Sequence, residues 1–284
     1  MSTTSHLLPQ HHIVLIGCGK MGGAMLEGWI ADTELDAHFS IIEPFQDHLG
    51  WTTKHAHIAL FESCAAAESA SIPPATIIVL AVKPQMMDAA IGHFAPMIDG
   101  DTAFLSIAAG ITTAWLASRL DALTGGTAPI LRAMPNTPAA IGHGITVLYS
   151  GKAADTKRDL AAQLLAAVGQ VVMIDDESLM DAVTAVSGSG PAYVFLLAEV
   201  MTKAAIEAGL PADLAAELAE ATVAGAGALI AASDDDPSIL RANVTSKGGT
   251  TAAALDVLMA DDGMAPLLAR AIAAAKARSI ALGS

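Results

Sequence analysis

A chain of 284 residues, 53% of them apolar, is long enough for two modest domains and can bury a real core. Its net charge of −15, with only 14 Lys and Arg in all, argues against a nucleic-acid partner, which needs a basic face. Cys18 and Cys64 make neither a disulfide framework nor a CxxC pair, so a reducing compartment, the cytoplasm, is expected.

The first residues, MSTTSHLLPQHH, lack a basic start followed by an apolar run, so no signal peptide is expected. Residues 1–11 read as a loose tail. His12 to Ile16 is short, β-branched and apolar, which predicts a buried strand. A glycine-rich turn, Gly17 to Gly23, follows, and then a helical pattern through Ile30. Ser40 to Glu43, Thr76 to Val82, Ala103 to Ile107 and Ile130 to Ala133 are further strands, separated by helical stretches. Strands alternating with helices predict a parallel sheet covered on both faces. Thr146 to Tyr149 and Val171 to Ile174 extend it.

Beyond Ile174 the strand signals stop. Helices are predicted over Pro191–Ala208, Leu214–Ala232, Thr250–Met259 and Met264–Ile280, with a helix start at Asp234-Asp235-Asp236-Pro237. The expected fold class is therefore α/β: a Rossmann-type sheet domain over 1–174, then an all-helical domain over 175–284. Glu217 and Glu220 interrupt the most apolar helix, so no membrane span is expected. Ala192 to Ala198 is apolar on every side of its helix, which requires cover all round. A second subunit would supply it; a central position in a monomeric bundle is the alternative.

Gly17-x-Gly19-x-x-Gly22 lies between a strand and a helix. The first glycine permits a tight turn, the second lets the backbone approach a pyrophosphate, and the third lets helix and strand pack closely. Amides at the helix start, at Lys20 and Met21, then hold the phosphates. Glycine-rich turns occur in many loops, but here an acid, Glu43, also ends the second strand, and that context points to dinucleotide binding. Ala81-Val82-Lys83 and Met134-Pro135-Asn136 follow strands at the sheet's carboxyl edge, where such ligands bind; read alone, each is a solvated or rigid loop. Asn243 to Thr251 opens a helix with small residues and glycines whose exposed amides suit a carboxylate, although an ordinary helix start has the same look. No metal site is expected: His11-His12 and His55-x-His57 read as solvent-facing, and His93 and His143 stand alone.

IGCGKMGGAM, LAVKPQ, SIAAGIT, RAMPNTPA, MDAVTAVSGSGPAY and VTSKGGTTAAAL resemble, in order and spacing, the successive motifs of pyrroline-5-carboxylate reductases, over nearly the whole chain from Ile13. The resemblance implies reduction of 1-pyrroline-5-carboxylate to L-proline by hydride from NADH or NADPH, the last step of proline biosynthesis. It implies a helical dimerisation domain, a dimer or a ring of dimers, and an active site between one subunit's cofactor crevice and the dimer's helices. By carry-over, Gly17, Gly19, Lys20, Met21, Gly22, Glu43, Ala81, Val82, Lys83, Ala108 and Asn136 bind cofactor. Ser246, Gly248, Gly249 and Thr250 take the substrate carboxylate, Asn243 and Glu177 lie near the substrate, and the Thr251 hydroxyl contacts the ring nitrogen as the catalytic group.

One departure stands at Glu43-Pro44-Phe45, where many members carry small polar or basic residues suited to a 2′-phosphate. A carboxylate there favours the ribose hydroxyls of NADH. A Glu43 turned out to water would leave the family's habit, NADPH. Two rival readings remain. A β-hydroxyacid dehydrogenase would place a catalytic lysine on the first long helix of the second domain, where Lys203 is the only lysine, about three turns beyond Gly190. A non-catalytic dinucleotide sensor would have no need of the glycine-rich carboxylate loop.

Overall fold

The structure, a computed structural model, describes residues 10–151 and 155–283. Of the tail expected over 1–11, residues 1–9 lie outside the described residues. Eight strands form one sheet: β1 His11–Ile16, β2 Ala37–Ile42, β3 Ile58–Phe61, β4 Ile77–Leu80, β5 Ala103–Ser106, β6 Ile130–Met134, β7 Gly144–Tyr149 and β8 Gly169–Ile174. Between them run α1 Lys20–Ala31, α2 Cys64–Ser69, α3 Met87–Ile91, α4 Thr113–Thr124 and α5 Asp155–Ala166.

The strand order is β3-β2-β1-β4-β5-β6-β7-β8. Its first six strands are parallel in the doubly wound order, with the chain reversing direction across the sheet beside β1. β1 shows why the central strands read as continuous apolar runs. Ile13 and Leu15 enter the core on one face, Val14 and Ile16 the core on the other, and all four are buried. On the first face Trp29 of α1 stacks on Phe39 at 5.7 Å and donates its Nε1 hydrogen to Leu164 O at 2.7 Å.

Two expectations are corrected and one strand is added. The sheet is not wholly parallel: β7 runs antiparallel to β6. Only a short helical turn, Thr137–Ile141, joins them, and a parallel return needs a crossover of about a dozen residues or more. β3 was not singled out in the sequence. The histidine pairs are not free in solvent. His12 lies in β1, half-buried, with Nδ1 at 3.2 Å from Pro74 O and Nε2 at 2.9 Å from Ser40 Oγ, and His57 packs on Phe39.

The chain divides into two compact units, one running through Gly188 and taking in the stretch from Lys276, the other Ser189–Ala275. The division falls later than Ile174. Residues 175–188, with α6 Met180–Val183, belong to the sheet unit, where Met180 is fully buried. The end of the chain returns to the same unit, and Ser279 Oγ donates to Asp181 Oδ1 at 2.6 Å.

The second unit holds α7 Gly190–Glu207, α8 Ala212–Ala232, α9 Pro237–Asn243, α10 Thr250–Leu258 and most of α11 Met264–Leu282. α7 has no buried residue, and Phe195 is 66% exposed and Leu196 55%. Among the described residues nothing supplies the cover its sequence demands, and α7 does not lie at the centre of a bundle within them. By length and composition alone, Glu177–Glu207 and Ala212–Ala232 are apolar enough to cross a membrane; Glu217 and Glu220 do not disqualify the latter.

Candidate active site

The carboxyl ends of β1, β2 and β4 open on a crevice of about 480 Å³, lined by Gly17, Gly19, Glu43, Ala81, Val82 and Lys83 among others. Gly17 turns the chain out of β1 with φ +89°, and a Cβ there would lie 2.9 Å from Val82 Cγ1 and 3.0 Å from Ala81 O. A Cβ on Gly22 would overlap the Gly17 carbonyl, so this glycine lets α1 lie against the turn. A Cβ on Gly19, by contrast, would meet nothing within 4 Å. That open side is where a ligand's phosphates can approach the backbone. Gly19 precedes α1 without any side-chain cap, so the first-turn amides, at Lys20 and Met21 among them, stay available to an anion.

Glu43 directly follows β2 with its carboxylate turned inward, only 9% exposed. Cys18 N–H donates to Oε2 at 2.7 Å and Phe45 N–H to Oε1 at 3.0 Å. Each oxygen retains a lone pair for a ribose hydroxyl. The Cys18 thiol is pushed up to about 12, by burial first and by the neighbouring Glu43 next, and is no nucleophile.

The remaining expected cofactor residues are placed differently. Lys20 lines an adjoining hollow of about 370 Å³, with Glu27 and His48. Met21 packs against the core. Ala108 is buried just beyond β5, and Asn136 is buried with Oδ1 accepting from Ile145 N–H at 2.9 Å, so its carbonyl holds the β6–β7 loop. Phe45, Ser63 and His93 also line the crevice; the sequence marked Phe45 only within the departure beside Glu43, took His93 as standing alone, and did not point to Ser63. Phe45, directly after the acid and a proline, carried a readable signal; Ser63, which caps α2 through Ala66 N–H, carried only a helix-start signal.

Glu177 is committed to the scaffold. Its carboxylate accepts Thr113 N–H at 2.8 Å, Thr113 Oγ1–H at 2.5 Å and Arg132 Nη1–H at 3.1 Å. Arg132 is 3% exposed, and Asp181 lies 3.9 Å from its other terminal nitrogen. A carboxylate so occupied has little left for a substrate.

In the second unit, Asn243 ends α9 and the chain turns through Ser246 to Gly249, closed by Gly249 N–H to Ser246 O at 3.0 Å. Gly249 precedes α10 with no side-chain cap, so the amides of Thr250 and Thr251 have no partner within the helix. A Cβ on Gly249 would meet Ser246 Oγ at 2.5 Å. Ser246, Gly248, Gly249, Thr250 and the half-buried Thr251 are thus brought together on one loop and one helical turn. Lys203 pairs with Glu199 at 2.5 Å on the surface, 66% exposed, which removes the lysine that a β-hydroxyacid dehydrogenase would require. Among the described residues no three His, Cys, Asp or Glu are grouped to hold a metal ion.

The strand order, the glycine turn and the inward acid together define a Rossmann-type dinucleotide-binding protein. Residues 12–110 match the family described as NADP oxidoreductase, coenzyme F420-dependent, and residues 177–282 match pyrroline-5-carboxylate reductase dimerisation. The chain is 38% identical over 271 residues to pyrroline-5-carboxylate reductase of Pseudomonas aeruginosa, covering 95% of this chain and 96% of that one. It is 38% identical over 255 residues to that of Haemophilus influenzae, covering 87% and 89%. The solved structure of a pyrroline-5-carboxylate reductase from Coxiella burnetii matches with a TM-score of 0.83 at 30% identity, covering 96% and 99% of the two chains. That of Plasmodium falciparum pyrroline carboxylate reductase with NADP bound matches at 0.77 and 26%, covering 98% and 100%. This chain belongs to the pyrroline-5-carboxylate reductase family.

Proposed function

We propose that this protein reduces 1-pyrroline-5-carboxylate to L-proline in the cytoplasm, with NADH as its preferred hydride donor. Family membership over nearly the whole chain supports the reaction, and the inward carboxylate of Glu43 is the observation that carries the cofactor preference. When bound, the reduced nicotinamide supplies the hydride that the imine carbon receives. The glycine turn and the first-turn amides of α1 bind the diphosphate, and Ala81, Val82 and Lys83 line the crevice beside it. Ala108 and Asn136 shape the sheet edge at which the dinucleotide ends.

The amides from Gly248 to Thr251, with the Ser246 hydroxyl, take the substrate carboxylate, and Asn243 lies beside them. The Thr251 hydroxyl orients the ring nitrogen and relays the proton that accompanies hydride addition. No residue of this loop is a strong acid, so positioning of the two reactants carries the rate, an effect worth about 7–11 kcal/mol in favourable cases. Assembly is a dimer, alone or within a ring of dimers, through the exposed apolar helices of 189–275. A second copy, rather than lipid, covers α7 and α8.

Glu43 accepts the ribose hydroxyls of NADH, whereas NADPH sets a phosphate against the carboxylate. Two unit charges about 4 Å apart repel by roughly 4 kcal/mol at an effective dielectric of 20, before side-chain movement and solvent reduce it. The test is proline formation from pyrroline-5-carboxylate followed by cofactor oxidation, with kcat/KM for both nucleotides in wild type and Glu43→Ser. Wild type is expected to favour NADH and the serine variant to shift toward NADPH. A wild type at least about tenfold better with NADPH, a difference of some 1.4 kcal/mol, removes the preference but not the reaction.

A further inference from the structure

The two peptide groups flanking Cys18 are both gripped by side chains from elsewhere in the chain. Its N–H donates to Glu43 Oε2 at 2.7 Å, and its carbonyl lies 2.8 Å from His48 Nε2. A carbonyl only accepts, so Nε2 of His48 carries the hydrogen and donates it. Glu43 thus fixes the Gly17–Cys18 peptide and His48 the Cys18–Gly19 peptide. Both grips come from the segment that leaves β2. Beyond them, a Cβ placed on Gly19 would meet nothing within 4 Å, so the turn is open on the side that the ligand must approach.

We propose that His48 is a positioning residue for dinucleotide binding: it locks the Cys18–Gly19 peptide in the pose that receives the diphosphate. The proposal rests on the dinucleotide-binding reading above. A loop held in its bound shape beforehand loses less freedom on binding, and affinity rises accordingly. The lock acts on the turn shared by both nucleotides, so it strengthens NADH and NADPH binding alike. This separates it from the other chemistry an imidazole beside this crevice could have, that of a cation against the 2′-phosphate, which would favour NADPH alone.

The test is titration of NADH and of NADPH into wild type, His48→Ala, His48→Leu and His48→Gln, read by nucleotide fluorescence, with steady-state kinetics alongside. Ala and Leu, which lack the donor, are expected to weaken both nucleotides by about three- to tenfold, the scale of one hydrogen bond. The KM for the nucleotide should rise in step while kcat stays within about twofold, the mark of lost uniform binding. Gln, whose amide can donate to the same carbonyl, should recover most of the affinity. Unchanged affinity in either folded donor-free variant overturns the lock, and so does a loss confined to NADPH. A wild type that binds neither nucleotide overturns the dinucleotide reading itself, and the lock with it.

Discussion

Replacing Glu177 separates a scaffold role from a substrate role. In Glu177→Ala, Thr113 loses the acceptor for both its N–H and its hydroxyl, and Arg132, with a side chain only 4% exposed, keeps among the described residues only the carboxylate of Asp181, at 3.9 Å. Removing one partner of a buried ion pair costs about 3–5 kcal/mol. The Glu177 side chain is 20% exposed and Asp181 still compensates part of the charge, so a loss of about 2–3 kcal/mol is expected here. Glu177→Gln keeps an acceptor but not the charge and should lose about 1 kcal/mol. Its kcat/KM should stay within about threefold of wild type, because the carboxylate is spent on Arg132 and Thr113. Denaturant unfolding at one fixed protein concentration measures the first quantity, since stability of an oligomer depends on concentration. An alanine variant within about 0.5 kcal/mol of wild type would refute the scaffold reasoning, as would a fully stable glutamine variant without turnover.

Burial holds the His12 and His57 imidazoles below their usual 6.5, so as the pH falls the unfolded chain takes up protons first. Their contribution is whole above 6.5 and is lost progressively below it; the denaturant midpoint should hold from about pH 8 to 6.5 and drop as the pH falls further, and a midpoint flat across 6.5 would contradict this. Thr251→Ala should lower kcat more than it weakens nucleotide binding, and Thr251→Ser should retain more activity; an alanine variant with wild-type kcat takes Thr251 out of the mechanism. Phe195→Asp, on the exposed face of α7, should yield monomers in sedimentation equilibrium, and a dimer as tight as wild type would show that this face is not the contact.

Much of this was legible in the sequence because it depends on local order. The run from β1 through the glycine turn into α1 is contiguous, and so is the loop from Ser246 to Thr251. The apolar girdle of α7 announced a missing partner. What stayed hidden depends on residues far apart in the chain. Glu177 meets Thr113 64 positions away and Arg132 45 positions away, and no periodicity encodes such pairings. Glu43 could be read as an acid at the end of a strand, but not as one whose oxygens already hold Cys18 and Phe45. β3 escaped because Ile58-Ala59-Leu60-Phe61 is an edge strand with a single β-branched residue and only partial burial, and the reversal of β7 is set by the length of a loop rather than by any residue in the strand.

The return of the chain from Lys276 to the first unit has a consequence for synthesis. Ser279 reaches Asp181 only after all of Ser189–Ala275 has been made. On the ribosome the sheet unit therefore waits, with the Asp181 carboxylate unclaimed by Ser279, until the intervening helices have emerged. Those helices appear while their apolar faces still lack a second copy. The contact of Ser279 with Asp181 is thus made only after the helices that pair with another chain have been synthesised, so this part of the nucleotide-binding half is completed no earlier than assembly becomes possible.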